Sequence, residues 1–230
     1  MRTAVLLVSG AGPARPDSSS NEKRSALLHR RARPRFACAH AQTPAEALSR
    51  SIENGDFEEF SRLVDAGIAL SANNKLGETP LYLAAEKGQL EMAKLLIAKG
   101  ADAKARTPNG ETVLHAAAMI ESTSLMTALI EAGAEINLAN RDGETPLYWA
   151  AMTGTFLAVK ALADAGADLN VQDASAGNTP LHAAVSHDDI VLIHYLISKS
   201  VRTDLRNSAG LTALELAKVR GRGSVKLFEH

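Results

Sequence analysis

The chain has 230 residues, of which 46% are hydrophobic and 4% aromatic, so its length allows one or two ordinary domains with a mainly aliphatic core. The single cysteine, Cys38, excludes a disulfide framework and a cysteine-based zinc site. No apolar run approaches the length that spans a bilayer, which predicts no membrane span, and the formal net charge of −1 hides an uneven distribution.

The basic residues are concentrated at the N-terminus. Residues 1–44 contain eight Lys or Arg and two Asp or Glu, whereas the remainder contains 17 basic and 24 acidic residues. A basic segment rich in Gly, Pro and Ser buries too little apolar surface to become ordered. Residues 1–42 are therefore predicted to form a largely disordered tail.

Three other interpretations of this tail stay open. An Arg-rich, Ser-containing and acid-poor N-terminus is typical of an organelle transit peptide. Ala39-His40-Ala41 has the small-x-small form of a signal-peptidase site, although Arg30–Phe36 stands where an apolar segment is needed. A patch for nucleic acid or a membrane surface is the third alternative. A plain flexible tail accounts best for the composition, and this favours a cytoplasmic protein over a targeted or exported one.

The ordered part is expected to begin at Thr43. Thr43 can cap a helix, and Pro44 suits the first helical position, where the N–H has no partner in any case. Glu46 completes a capping box with Thr43. The polar side chains of residues 43–73 fit an end unit with one face in water, so this segment is predicted to be an N-terminal cap.

A unit of about 33 residues then recurs along the chain. Its starting glycines are separated by 33, 33, 34 and 33 residues and are Gly77, Gly110, Gly143, Gly177 and Gly210. Each copy continues with x-Thr, usually Pro, a Leu followed by small residues, and an apolar stretch at helical spacing, which predicts two helices. A further glycine, at the position where a left-handed C-cap is expected, closes the second helix at Gly67, Gly100, Gly133 and Gly166.

This period divides the chain into a cap, four full repeats and a C-terminal cap. We call them units 1 to 6, and they comprise residues 43–73, 74–106, 107–139, 140–173, 174–206 and 207–230. Unit 3 departs from the pattern, because Val113 replaces the proline and Glu121 replaces the glycine between the helices. Ser122 offers an N-cap for its second helix instead.

The last two units also depart from the pattern. Asp188 and Ser200 stand in place of the two helix-ending glycines of unit 5. We expect Asp188 to cap a helix starting at Asp189, and Ser200 to need the left-handed conformation, which is unfavourable for residues other than glycine. The second helix of unit 6 is predicted to be shortened to 224–228.

Two segments carry the pattern most literally. They are Thr179-Pro180-Leu181-His182-Ala183-Ala184 and Gly166-Ala167-Asp168-Leu169-Asn170. Together with the 33-residue period they resemble the ankyrin repeat, over about residues 45–230. The resemblance implies an all-α ankyrin-repeat solenoid, in which helix–turn–helix pairs are joined by β-turn fingers. It also implies a non-catalytic protein-binding module.

Histidines are the residues most able to carry chemistry. His115 and His182 share a repeat position that holds tyrosine in units 2 and 4, so we assign them a structural role near the fingers. His182, His187 and His194 lie within 13 residues, but no cysteine and no fixed spacing supports a metal site. Walker, Gly-x-Ser-x-Gly and His-Glu-x-x-His motifs are absent, so no enzyme activity, cofactor or metal is expected. The acidic array is not expected to bind nucleic acid.

The resemblance implies that variable residues at the finger tips and at the ends of the first helices line a concave surface. This surface is expected to bind another protein, with the chain as a monomer. An inhibitor or passive scaffold that masks a partner enzyme is the alternative. The predicted partner-binding residues are Lys75, Leu76, Glu78, Glu86, Lys87, Pro108, Asn109, Glu111, Met119, Ile120, Arg141, Asp142, Glu144, Trp149, Met152, Thr153, Asn178, Ser186 and His187.

Units 3 and 4 are predicted to hold the centre of that surface. They place Met119-Ile120 and Met152-Thr153 where units 2 and 5 have polar pairs, so these apolar side chains are expected to face water. Trp149 precedes Met152 by three residues and shares its helical face. The sequence leaves open whether Trp149 belongs to this surface or packs between the helices of its own unit.

Overall fold

The computed structural model describes residues 43–228; the predicted N-terminal tail lies outside the described residues. Helices account for most of this part of the chain. They are α1 Pro44–Asn54, α2 Phe57–Asp65, α3 Pro80–Glu86, α4 Leu90–Ala98, α5 Val113–Ala118, α6 Thr123–Glu131, α7 Pro146–Thr153, α8 Phe156–Asp164, α9 Pro180–His187, α10 Ile190–Ser198, α11 Ala213–Val219 and a 3₁₀ helix at Gly223–Phe228. Each unit therefore contributes a first and a second helix, and the all-α repeat architecture is confirmed.

Threonine and proline set the start of the first helices. Thr145 lies in an extended conformation and its hydroxyl accepts the Tyr148 N–H, which would otherwise have no partner. Pro146 then occupies the first helical position, where its fixed φ suits the helix. The capping box predicted for Thr43 and Glu46 is confirmed in α1.

The second helices end on a residue in the left-handed conformation. Gly166 has φ 92°, as the pattern predicts. Ser200 stands at the matching point of unit 5 with φ 57°, so the predicted left-handed serine is confirmed. Ser200 and Asp188 are the non-glycine residues with positive φ in the described chain.

One helix start in unit 5 differs from the prediction. Asp188 does not cap the second helix; it is the left-handed residue that ends α9, with φ 55°. Asp189 is the N-cap of α10, and its carboxylate accepts the Leu192 N–H. An aspartate in the left-handed conformation cannot also have the extended backbone that an N-cap needs, so the capping role moves one residue along.

The core runs between the stacked units. First helices pack on the first helices of the next unit, in the order α1, α3, α5, α7, α9 and α11, and second helices of units 1 to 4 pack in the same way. Leu114, Leu147 and Leu181 hold the same position in three units and are at most 1% exposed. Burying a leucine stabilises the fold by about 1.5–3 kcal/mol, and the alanines beside each one allow close helix packing.

The fingers are also joined by main-chain hydrogen bonds. The N–H of Arg141 donates to the carbonyl of Asn109, that of Ala174 to Asp142 and that of Ser208 to Ala176, at 2.8–2.9 Å. These bonds connect units 3, 4, 5 and 6. Gly143 has to be glycine, since a Cβ there would lie 2.6 Å from the main-chain nitrogen of Ala174.

Pro108 interrupts this series between units 2 and 3. It stands where Arg141, Ala174 and Ser208 stand in the later units, but proline has no N–H to donate. Its ring lies against Gly77, where a Cβ would come within 2.5 Å of the Pro108 Cγ. The two fingers are therefore in contact without the main-chain bond that links the later ones.

Candidate functional site

The fingers and the first helices form one continuous surface, which we call the inner face. Its base is a row of buried polar side chains, one in each of units 2 to 5, that reach into the next finger. They are Tyr82, His115, Tyr148 and His182, and their relative exposures are between 0% and 8%. Each connects its own first helix to the following unit, so the predicted structural role of the histidines is confirmed.

His115 and His182 make the same set of contacts. The Nδ1 of His182 accepts the N–H of Thr179 at 3.3 Å, and its Nε2 lies 3.0 Å from the carbonyl oxygen of Leu211. Because a carbonyl only accepts, Nε2 carries the proton and the ring is neutral. In unit 3, Nδ1 of His115 accepts the Thr112 N–H at 3.0 Å, and Nε2 faces the Glu144 carbonyl at 3.0 Å. Burial lowers the pKa of both histidines, which favours this neutral form.

The tyrosines reach side chains instead of carbonyls. The hydroxyl of Tyr82 donates to Oε2 of Glu111 at 3.0 Å, and burial followed by the Glu111 charge raises the pKa of Tyr82 well above its ordinary value. Burial, together with the charge of and hydrogen bonding to Asp173, raises the pKa of Tyr148 to about 12. Both hydroxyls therefore stay protonated and act as donors at neutral pH.

Three glutamates lie in a row above this base. Glu78, Glu111 and Glu144 occupy the same position in units 2, 3 and 4, directly after the starting glycine, and all three are half-buried. The Oε2 of Glu78 accepts from the Asn74 amide at 2.7 Å, and that of Glu144 from the Asn140 amide at 2.9 Å. Each carboxylate is thus held by neutral donors on its own finger or on the preceding unit.

Trp149 lies between this row and the end of its helix. Its Nε1 donates to Oε2 of Glu144 at 2.6 Å, and its ring meets the His115 ring edge-on, with centroids 5.2 Å apart. Its neighbours at the same position in units 3 and 5 are Ala116 and Ala183, so the indole fills space that small residues leave. Trp149 is half-buried and contacts the preceding unit and its own finger, which fixes the ring in one orientation.

The methionines at the far end of the first helices face water. Met119 is 49% and Met152 40% exposed, as expected from the sequence. The expectation for Ile120 was wrong, because it is half-buried and packs against the core. Its Cδ1 lies 3.4 Å from where a Cβ on Gly88 would be, so the side chain leans onto unit 2. Thr153 is exposed and turns its hydroxyl back to the Trp149 carbonyl at 2.9 Å.

The other predicted residues lie around this centre. Leu76 is 71% exposed at a finger tip, and Asn109, Arg141, Asp142 and His187 are also exposed. Two lysines are paired with acids of the inner face or its cap, namely Lys75 with Glu46 at 2.9 Å and Lys87 with Glu86 at 3.0 Å.

Asn178 and Ser186, at the unit 5 end of this surface, are bonded to unit 6. The Oδ1 of Asn178 accepts from the Asn207 amide at 3.0 Å. The carbonyl of Ser186 accepts from the guanidinium of Arg222 at 3.1 Å. Their polar groups therefore help to fix the end of the array as well as lining its inner face.

A further finger residue, three positions before each starting glycine and four before Gly177, was not predicted. Asn140 is the example: its Oδ1 accepts the N–H groups of Asp142 and Glu144 at 3.0 and 2.9 Å and so shapes the finger. The equivalents are Asn74, Thr107, Asp173 and Asn207. A column of short side chains with an acceptor oxygen at the repeat period is the signal that predicts them.

The histidines of unit 5 do not converge. His182 is buried and hydrogen-bonded, whereas His187 and His194 are exposed. Between residues 43 and 228, no three His, Cys, Asp or Glu side chains are grouped so as to hold a metal ion. No helix in that part of the chain is long and apolar enough to cross a membrane.

Comparison with known families defines the class of protein. One model of ankyrin repeats matches residues 99–173 and 158–229, and a second ankyrin model matches residues 63–117. Over these residues the chain belongs to the ankyrin repeat family. Ankyrin repeats are in general protein–protein interaction modules without catalytic activity. No curated protein sequence matches the chain at a significant level.

Proposed function

We propose that the chain binds a partner protein through the inner face of units 3 and 4. The observation that carries this proposal is the exposure of Met119 and Met152, at 49% and 40%, on adjacent first helices. Water-facing methionines contribute little to folding, whereas a partner that covers them gains the free energy of burying apolar surface. Their flexible side chains also adapt to an irregular partner surface.

Trp149 supports the same centre. Its indole is already fixed by Glu144 and by the ring of His115, so a partner that packs on it loses little side-chain entropy. Rigid aromatic side chains beside exposed apolar ones are typical of the residues that dominate binding energy. The exposed charges of Arg141 and Asp142 lie at the finger tip and form a polar rim.

The test is a pull-down from the source cells with the wild-type chain and with Met119→Glu combined with Met152→Glu. We expect the double variant to keep the wild-type melting temperature and to lose the partner, because two carboxylates would be buried in the interface. Ile120 is left unchanged because it packs against the core.

A matched control places the same change on the second helices. Leu157 and Val191 are 41% and 63% exposed there, so Leu157→Glu with Val191→Glu adds the same charge at another surface. This control should retain the partner. Loss of the partner in the control, with retention in the methionine variant, would place binding on the second helices instead.

A further inference from the structure

The inner face carries charge as well as apolar surface, and the charge points to one kind of partner. We propose that the segment bound there is basic and apolar: a lysine or arginine lies against Glu111 and Glu144, and an apolar side chain covers Met119 and Met152. This inference rests on the proposed function, because it concerns the same surface.

Within the described part of the chain, the carboxylates of Glu111 and Glu144 lack a cation. Glu111 Oε2 accepts from the hydroxyls of Tyr82 and Thr107, and Glu144 Oε2 from the amide of Asn140 and the indole of Trp149, all of them neutral donors. Within residues 43–228, acids elsewhere do form ion pairs, whereas Glu78, Glu111 and Glu144 take part in none.

None of the nearby cations of the described chain is paired with this row. Arg106 is close to it, but its Nε donates to the Gly110 carbonyl at 3.0 Å and its Nη2 to the Ala139 carbonyl at 2.7 Å. Lys75 and Lys87 are paired with other glutamates. Arg141 is exposed at the finger tip and forms no ion pair with these carboxylates.

The Trp149 side chain lies beside the carboxylate that a cation would approach. The Trp149 indole is bonded to Glu144 at 2.6 Å and contacts His115, so the ring and the carboxylate act as one rigid group. A guanidinium or ammonium group is attracted both by the face of an indole and by a carboxylate. An acidic segment would be repelled by the same row, which gives the surface its selectivity.

Glu111 and Met119 are eight positions apart in the chain, as are Glu144 and Met152. Six of these steps lie in the first helix, at about 1.5 Å each, and two lie in the extended segment before it, so the span is between about 9 and 16 Å. An extended partner advances about 3.3 Å per residue, so its basic and apolar side chains would be three to five positions apart. Neighbouring first helices lie about 10 Å apart, which gives a similar spacing for a segment that crosses units.

The experiment is a selection of random twelve-residue peptides, displayed on phage, against the immobilised full chain. We expect the enriched peptides to carry Lys or Arg three to five positions from a Leu, Ile, Met or Phe. The affinity of synthetic copies of these peptides is then measured by fluorescence anisotropy, once with the wild-type chain and once with a double variant that combines Glu111→Gln and Glu144→Gln. Glutamine keeps the shape and one acceptor oxygen but removes the charge, and we expect binding about tenfold weaker for each carboxylate.

Controls separate this inference from the proposed function. Glu58→Gln with Glu131→Gln changes the net charge equally at exposed positions of the second helices and should leave the affinity unchanged. Peptides that need Met119 and Met152 but contain no basic residue, or that bind the glutamine variant equally well, would overturn the inference and keep the proposed function. Peptides that are insensitive to the methionine variant, or no enrichment at all, would overturn both.

Discussion

Units 4 and 5 are neighbours that begin alike and are joined to the stack differently. Both start their first helix with Thr-Pro-Leu, at Thr145 and at Thr179. They differ at three equivalent positions, where unit 4 has Tyr148, Gly154 and Gly166 and unit 5 has His182, Asp188 and Ser200. The same fold therefore tolerates two sets of side chains at the points that fix the ends of its helices and its contact with the next unit.

The buried polar position shows why both sets work. In unit 4 the side chain is Tyr148, and, after burial, the carboxylate of Asp173, in the segment that leads into the next finger, helps to raise the pKa of its hydroxyl. Unit 5 meets the main-chain carbonyl of Leu211, and His182 reaches it with Nε2 at 3.0 Å. The histidine also accepts the N–H of Thr179, so one ring caps its own helix and holds the next unit. Only this second arrangement depends on a titratable ring staying neutral, because Nδ1 of His182 has to remain unprotonated to accept the Thr179 N–H, and burial lowers the pKa of the ring in the same direction.

Removing the histidine should have the largest effect. His182→Ala leaves the Thr179 N–H and the Leu211 carbonyl without buried partners, and we expect a loss of about 3 kcal/mol in the free energy of unfolding. Tyr148→Phe keeps the ring and removes only the hydroxyl that interacts with Asp173, so it should cost only about 1 kcal/mol. Urea melts of the two variants test the comparison, and equal losses would show that the histidine has no second role.

The second expectation concerns acid. Burial lowers the folded-state pKa of His115 and His182, so below about pH 6.5 the unfolded chain takes up protons that the folded chain does not. The stability that each neutral histidine contributes is fully present above the pKa of the unfolded state and is lost as the pH falls toward the pKa of the folded state. Over that range we expect the free energy of unfolding to fall by up to about 1.4 kcal/mol per pH unit for each histidine. Urea melts at several pH values should show a shallower dependence for His182→Ala, and an unchanged slope would contradict it.

Ser200→Gly should stabilise unit 5. Ser200 has φ 57°, where a side chain strains the backbone, and Gly166 shows that the position accepts glycine. Relieving this backbone strain is expected to raise the free energy of unfolding by about 1 kcal/mol, as measured by urea denaturation. The reciprocal change, Gly166→Ser, should destabilise unit 4 by a similar amount, and a Ser200→Gly variant with an unchanged midpoint would show that the strain is relieved elsewhere.

Asp188→Gly should have the smallest effect. The change relieves the backbone at φ 55° but removes the carboxylate that accepts the Ser224 N–H at 3.2 Å. Hydrogen bonding from Ser224 lowers the pKa of Asp188, in agreement with a charged carboxylate at this point. The melting temperature should therefore rise less than for Ser200→Gly. A larger rise would mean that the bond to Ser224 contributes nothing to the fold.

Much of this architecture could be predicted from residues that act within one turn. Thr43 and Glu46 cap α1, and Ser200 takes the left-handed conformation because a helix has to end there. Such effects depend on the chain's own geometry, so the repeat period was enough to locate them. The assignment of the family depends on the same local pattern.

What could not be predicted depends on neighbouring units. Ile120 and Met119 are adjacent and equally apolar, yet Ile120 leans onto Gly88 while Met119 faces water, because unit 2 has no side chain at that point. The environment of Glu111 is likewise set in part by Tyr82 of the preceding unit, whose hydroxyl donates to its carboxylate. Comparing the units shows which positions vary, whereas the exposure of a side chain at such a position follows from packing between units.

Pro108 makes the joint between units 2 and 3 more compliant at the fingers than the three later joints. Tilting unit 4 away from unit 3 at the fingers breaks the bond from Arg141 to Asn109, and each later joint has a bond of the same kind. Tilting unit 3 away from unit 2 breaks no main-chain bond at the fingers, because Pro108 has no N–H to give. Units 3 to 6 are therefore linked more stiffly at their fingers than units 2 and 3 are. A change in the curvature of the inner face is easiest between units 2 and 3, next to Met119.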